Sequence, residues 1–600
     1  MKNVPFYDLK VTDGFWAERQ KTMEEKTVWA VYDRFKETGR IETMDCKPHA
    51  VKPHIFWGSD VVKWMEGAAY ILEQKEDPIL WAKVDELIGM IEEGTREDGY
   101  YNSYYNLTGA EERFTNRDDH ELYSLGHMIE AAVALSHLGD DRLLKICCRN
   151  ADLVDQIFRV EESAAFDTPG HQEIELALMR LWETTGEERY RDLAEYFVLK
   201  RGRSQKDQAF FQLPKRRGDT KGTYTQAHLP AEEQFTAEGH AVRALYFYCA
   251  MADLAEATDN DSLRRATEAL FDDIYQKKMY ITGGVGSQKE GERFTVPYHL
   301  PNREAYAETC AALSLALFAR RLYQVCPDGR YGDAAERALY NGMISGLSLS
   351  GDAFFYSNPL EMDVERDGII QGYSPALVRQ KVFNCSCCPP NLVRLIPSIA
   401  DFVYTYDEER LYVHQYIPTV GTVDGAKVEL QTAYPADGKV KVAYSGKKLA
   451  LRKPAWCRKI VTEQNYREER GYLYFETDRV EIEFVMEPVF YTAADAVHEN
   501  NGRVALMRGP IVYCIEGQDQ PAKPFNCRVD PTQSVQVTEE TYGGYPVLQA
   551  AGAVVVPTTQ AALYAPYRAE ELKPCALRYI PYYTFANRGA DDMQVWVLKK

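Results

Sequence analysis

One carboxylate and four thiols stand in two short runs of this chain, Glu308-Thr309-Cys310 and Cys385-Ser386-Cys387-Cys388-Pro389-Pro390-Asn391. Four such ligands, Glu308, Cys310, Cys387 and Cys388, make a closed tetrahedral zinc site. The spacing differs from that of small structural zinc loops, whose cysteines pair about two to four residues apart. Adjacent cysteines chelate awkwardly, and Pro389-Pro390 stiffens the chain after them. That suits a site in which one thiolate moves off the metal to react. A catalytic metal site, a structural zinc and packed thiols all stay open on these residues alone. The case for zinc beside a reactive thiol is direct. A free thiol, with a pKa of about 8.5, is mostly protonated at neutral pH, and coordination deprotonates it outright. Chemistry there also needs a proton donor. The loop GSQKEGERFTVPYHLPNREAYAE ahead of Glu308 carries Glu290, Glu292 and Glu304, of which at least two are expected to be ordinary solvated carboxylates.

The elements that would position these groups are helices. Up to about residue 405 the chain alternates helical patterns with polar loops, giving about twelve helical segments. One set is apolar nearly all round: VVKWMEGAAYIL, GHMIEAAVALSHL, GHQEIELALMRLW, GHAVRALYFYCAMA, ETCAALSLALFA and NLVRLIPSIADFV. The other is amphipathic and charged, as in DRLLKICCRNADLVDQI. Helices apolar all round are buried, and amphipathic ones cover them. Six inner helices alternating with outer ones describe an (α/α)6 barrel, and unequal loops argue against a repeat solenoid. Several inner segments open with a chemically capable residue: His127, His171, His240, Glu308 with Cys310, and Cys387-Cys388. In such a barrel the inner N-termini surround one mouth and offer free N–H groups and a partial positive charge.

Beyond residue 405 the texture changes. Segments such as KVELQTAY, KVKVAYSG and VEIEFVM alternate with period two and are rich in β-branched and aromatic residues, which reads as strand. The expected organisation is multidomain α + β: a barrel catalytic domain over 1–405, a β-sandwich over 406–515 and a second β-sandwich over 516–600.

The 600 residues carry 90 acidic against 70 basic side chains, a net charge of −20. That balance argues against nucleic acid and anionic membrane surfaces as partners. The N-terminal run MKNVPFYDLKVTDGFWAERQ lacks the pattern of a secretory signal, and no segment approaches a membrane span, so a cytoplasmic location is expected. The 13 cysteines then read as buried thiols, metal ligands or a nucleophile rather than a disulfide framework. Cys147, Cys148 and Cys249 fit packed core thiols.

The runs quoted above, with FWAERQ, TQAHLP, GERF…LPN…YAETCA, CSCCPPN and IPYYTFANRG, resemble glycoside hydrolase family 127, the β-L-arabinofuranosidases. The resemblance spans nearly the whole chain. It implies an (α/α)6 barrel with β-sandwiches, Zn2+ held by Glu308, Cys310, Cys387 and Cys388, and Cys387 as nucleophile. Glu292, sixteen residues before Glu308, falls on the general acid/base, and His127, His171, His240 and Tyr356 on sugar-contacting positions. It implies retaining hydrolysis of small β-L-arabinofuranosides, and a homodimer is a possibility it leaves open. The family often has acidic residues where this chain has Pro297 and His299, which would alter the pocket beside Glu292. Cys385 is an extra thiol near the nucleophile, expected to be a packed spare. Three other readings stand beside this one: the same mechanism on another furanose or branched sugar, a sugar epimerase or isomerase on the same barrel, and a sugar-binding protein with structural zinc.

Overall fold

The computed structural model describes all residues except 213–220, 368–375, 557–562 and 565. Six helices form the inner layer of the first two thirds: Trp57–Gln74, Glu121–His137, Ile174–Thr185, Ala241–Ala257, Thr309–Val325 and Cys388–Leu395. Each packs on the next in chain order, and the Cys388 helix returns to the Trp57 helix, so the layer closes on itself. Their sequences demand this position. In Ala241–Ala257 every residue from Ala241 to Ala252 is buried, a surface that only a surrounding ring of neighbours can cover.

The outer layer consists of Val28–Glu37, Pro78–Gly94, Arg142–Asp155, Glu188–Lys200, Asp261–Lys277 and Gly329–Arg337. The last five each pack on the inner helix that precedes them, and Val28–Glu37 packs on the Cys388 and Trp57 helices. Arg142–Asp155 buries Leu143, Ile146, Cys147, Asn150, Ala151 and Val154, one stripe at helical spacing. Starts are set locally. Asp77 accepts from the N–H groups of Ile79 and Leu80 at 3.0 Å, with Pro78 behind it, and Asn260 caps the Asp261 helix in the same way. Such caps are each worth about 1 kcal/mol.

Two six-stranded sheets follow. Lys439–Tyr444 and Arg479–Phe484 alternate exposed and buried residues. Their inward side chains Val440, Val442, Val480 and Ile482 share a core with Leu411, Val413, Leu449 and Leu451 of the other sheet. The N-terminus completes both sheets: Lys2–Asn3 pairs with Tyr404–Tyr406, and Leu9–Val11 with Thr419–Val423. The helical unit therefore does not begin at residue 1. Those first strands are too short to be read from period-two alternation.

The division expected at 515/516 also moves. It falls beside Glu516, the last residue of strand Ile511–Glu516, which pairs with Arg503–Arg508 and Leu572–Pro581. The third sheet starts at Pro488–Tyr491 and takes in Glu361–Met362 from the helical part, ten strands among the described residues. The polar run EGQDQPAKP reads as a linker, yet it is a loop inside one sheet network. Among the described residues, no helix is long and apolar enough to cross a membrane.

Candidate active site

The starts of all six inner helices converge on one cavity of about 200 Å3, lined among the described residues by side chains between 56 and 391. Phe56 precedes the Trp57 helix, with Ser59 and Asp60 in its first turn. His120 holds the N-cap of the Glu121 helix, and His171 stands just ahead of the Ile174 helix. His240 caps the Ala241 helix, Glu308 stands at the N-cap of the Thr309 helix, and Cys387 at that of the Cys388 helix. The volume lies below the roughly 300 Å3 where drug-sized pockets begin, which leaves room for one monosaccharide.

Glu308, Cys310, Cys387 and Cys388 come together as one cluster, their ligand atoms all within 4.8 Å of one another. The Cys310 sulfur lies 3.5 Å from that of Cys387 and 3.1 Å from that of Cys388, and the Cys387 and Cys388 sulfurs are 3.8 Å apart. Glu308 Oε1 is 3.5 Å from Cys387 Sγ and 3.7 Å from Cys388 Sγ. A tetrahedron with metal–sulfur bonds of about 2.3 Å has edges of about 3.8 Å, so four of the five separations are within about 0.3 Å of that and one, Cys310 to Cys388, is well short. Glu308 Oε2 is buried and has no hydrogen-bond partner among the described residues, a lone pair that could serve a cation. Burial, with the neighbouring Cys387, pushes the Glu308 carboxyl well above its ordinary range. Burial pushes the Cys388 thiol up as well. Burial acts the same way on Cys310, but hydrogen bonds with Cys387 and Cys388 outweigh it and bring that thiol down to about 7. Two helix N-termini aimed at the cluster favour thiolates. The four groups could hold a metal ion, and their donor chemistry fits one.

Local backbone bonds place the cluster. Thr309 N–H donates to Tyr356 O at 2.8 Å, and Glu308 bridges to Ser357. These bonds bring the Tyr356 hydroxyl to 3.3 Å from Cys387 Sγ. Behind Cys387, Arg40 donates to the carbonyls of Phe383 and Asn384 at 2.9 and 2.8 Å and pairs with Asp60 at 3.1 Å. Arg40 and Asp60 are both buried and tie the cysteine run to the neighbouring Trp57 helix.

Glu292 lies in the same cavity. Its Oε2 is 2.6 Å from His240 Nε2, and its Oε1 accepts from the Tyr306 hydroxyl at 2.6 Å. Burial pushes the carboxyl up, but these donors and the Arg243 charge outweigh it and hold Glu292 at about 2. His240 accepts from the N–H groups of Val242 and Arg243 through Nδ1 at 3.2 and 3.4 Å. Its ring proton therefore sits on Nε2, facing the carboxylate. Burial keeps the ring below its ordinary range, which favours the neutral form. Glu292 itself adopts a left-handed backbone, φ 49°, strain of the sort that marks functional positions.

His171 lines the cavity as expected, its Nδ1 2.8 Å from Gln172 O. His127 does not. The Glu121 helix starts earlier than the SLGHMIEAA run implies, so His127 lies six residues inside it, about 9 Å down the axis. It is fully buried beneath Tyr123, ring centroids 4.6 Å apart. At this helix start the cavity is lined by His120 and Tyr123, which the sequence reading passed over. The polar run NRDDH before the apolar ELYSLG was the available signal for the true helix start. Pro297 and His299 are exposed and outside the cavity lining, so their change of type does not alter the pocket wall. Glu290 and Glu304 are exposed, the solvated carboxylates expected. Cys385 lines the cavity rather than packing away as a spare thiol.

Comparison with known proteins decides the family. The model of the β-L-arabinofuranosidase, GH127 catalytic domain matches residues 8–401, and that of the glycoside hydrolase family 127 C-terminal domain matches 488–598. The chain belongs to glycoside hydrolase family 127. It is 32% identical to the non-reducing end β-L-arabinofuranosidase of Bifidobacterium longum subsp. longum, over 98% of this chain and 99% of that protein. A solved GH127 β-L-arabinofuranosidase from Geobacillus stearothermophilus T6 superposes with a TM-score of 0.92 at 37% identity, covering 99% and 100% of the two chains. A second solved GH127 β-arabinofuranosidase gives 0.88 at 33% identity, covering 100% of this chain and 98% of that one. This GH127 protein is a glycoside hydrolase of multidomain α + β architecture, its helical part carrying the site.

Proposed function

We propose that this GH127 protein is a retaining exo-β-L-arabinofuranosidase built on an (α/α)6 barrel, with Cys387 as nucleophile and Glu292 as acid/base. The observation that carries the reading is that Cys387, inside a cluster of metal-ligating groups, and Glu292, held by two hydrogen-bond donors, line one monosaccharide-sized cavity. Its relatives of known name are β-L-arabinofuranosidases.

Glu308, Cys310, Cys387 and Cys388 would hold Zn2+. When bound, zinc keeps its thiol ligands ionised at neutral pH. In the first step, Cys387 Sγ attacks the anomeric carbon. The carbon–oxygen bond to the aglycone breaks, and Glu292, which is ionised in the free protein and takes up a proton as the glycoside binds, gives that proton to the departing oxygen. In the second step, a water oxygen attacks the same carbon and Glu292 takes a proton from that water. The carbon–sulfur bond breaks and its electron pair returns to Cys387. Two displacements retain the configuration. His120, His171, His240 and Tyr356 offer the sugar hydroxyls neutral donors and acceptors at the mouth formed by the helix N-termini.

The test is release of nitrophenol from p-nitrophenyl β-L-arabinofuranoside by the protein kept in reductant. Activity that disappears with a chelator and in folded Cys387→Ser supports the reading. Turnover that survives Cys387→Ser unchanged would overturn it.

A further inference from the structure

We infer that Tyr306 is a positioning residue for the acid/base: with His240 it fixes the Glu292 carboxyl so that the position carrying its proton faces the departing oxygen. This rests on the reading of Glu292 as acid/base.

The two donors take different carboxyl oxygens, His240 Nε2 at 2.6 Å from Oε2 and Tyr306 Oη at 2.6 Å from Oε1. One donor alone would let the carboxyl swing about its terminal torsion, which is broad for glutamate. Two donors on opposite oxygens remove that freedom. Their capacities differ. His240 is committed as a donor, because its Nδ1 already accepts from the Val242 and Arg243 N–H groups. The Tyr306 hydroxyl both donates and accepts, so it can follow Glu292 through its ionised and protonated forms.

The backbone holds Tyr306 in place. Its carbonyl accepts from Asn358 N–H at 3.2 Å, and its ring lies 6.0 Å from that of Tyr356. Between Tyr306 and Glu308, Ala307 takes a left-handed conformation, φ 39°, its N–H donating to Gly286 O at 2.9 Å. A non-glycine residue in that region is strained. The strain is repaid by placing the tyrosine on the acid/base and Glu308 in the sulfur cluster from one three-residue stretch.

The experiment compares wild type, Glu292→Gln and Tyr306→Phe on two β-L-arabinofuranosides that share the sugar and differ in leaving group. p-Nitrophenoxide departs with little proton assistance, whereas methoxide needs it. The readout is kcat/KM, which reports the first displacement, with the zinc content of each variant measured alongside. Glu292→Gln should lose about 100-fold or more on the methyl glycoside and far less on the nitrophenyl one. Tyr306→Phe removes one oxygen from a half-buried ring, so the fold is kept. It should show the same asymmetry at about tenfold, with KM and zinc content as in wild type. Equal loss on both substrates, no loss on either, or a change confined to KM or to zinc would overturn the role of Tyr306. If Glu292→Gln itself shows no dependence on leaving group, the underlying reading of Glu292 fails instead.

Discussion

Asn391 donates its side-chain amide to Cys310 Sγ across 3.1 Å, and Arg394 donates to the oxygen of that amide at 2.8 Å. Arg394 is itself fixed by Glu66 at 3.1 Å and by the Tyr246 hydroxyl at 3.0 Å. A sulfur–carboxylate cluster is thus oriented from below by a buried polar chain. Such partners of metal ligands typically change affinity 10- to 100-fold. Asn391→Leu is expected to weaken zinc binding by about that factor, measured by competition with a chromophoric chelator. Unchanged affinity would show that the amide merely fills space.

His120 and His127 separate by role. His120→Ala removes a group at the cavity wall, so kcat/KM should fall at least tenfold with little change in melting temperature. His127→Ala opens a hole in the core and should cost about 2–5 kcal/mol of stability, with KM for the glycoside unchanged in the folded fraction. Denaturant titration and steady-state kinetics on the pair give the comparison; the opposite pattern would return His127 to the site.

The Arg40–Asp60 pair is buried on both sides. Removing one charge strands the other, a loss of about 3–5 kcal/mol. Asp60→Asn should therefore lower the denaturation midpoint. It should also slow the enzyme, because Arg40 carries the carbonyls of Phe383 and Asn384 just ahead of Cys387. A variant as stable and active as wild type would contradict this account of the cysteine run.

Where the helical part meets the first pair of sheets, Arg452 binds both Asp333 and Glu336 at 2.5 Å. One cation between two buried carboxylates leaves Asp333 raised to about 6: burial pushes it up, Arg452 opposes, and Glu336 adds to the rise. An unfolded aspartate titrates at about 3.9. Between roughly pH 4 and 6 the folded protein keeps a proton that the unfolded chain has released, so stability falls as pH rises through that window. Asp333→Asn should flatten this slope in urea titrations at pH 4, 5 and 6, and an unaltered slope would assign it to another group.

Type and period determined a great deal on their own. Helices apolar all round had to be inner and amphipathic ones outer, because each surface has one place it can be buried. The change to period-two alternation near residue 405 had to be sheet. Glu308-x-Cys310 and Cys387-Cys388 were legible as groups that could hold a metal, with packed thiols left as an alternative, and the fold does bring the four together. Tertiary structure decided the rest. Where the Glu121 helix begins set which histidine reaches the cavity, and a shift of six residues along a helix axis is invisible to an apolar pattern that continues through it. The pairing of Lys2–Asn3 and Leu9–Val11 with strands some four hundred residues on depends on open sheet edges that no local signal announces. The bonds from Tyr306 and His240 to Glu292 join two distant points of the 278–308 connection to the start of the Ala241 helix. Only the closed ring of helices brings them within 3 Å, because hydrogen bonds are a matter of position, and sequence reports position only along the chain.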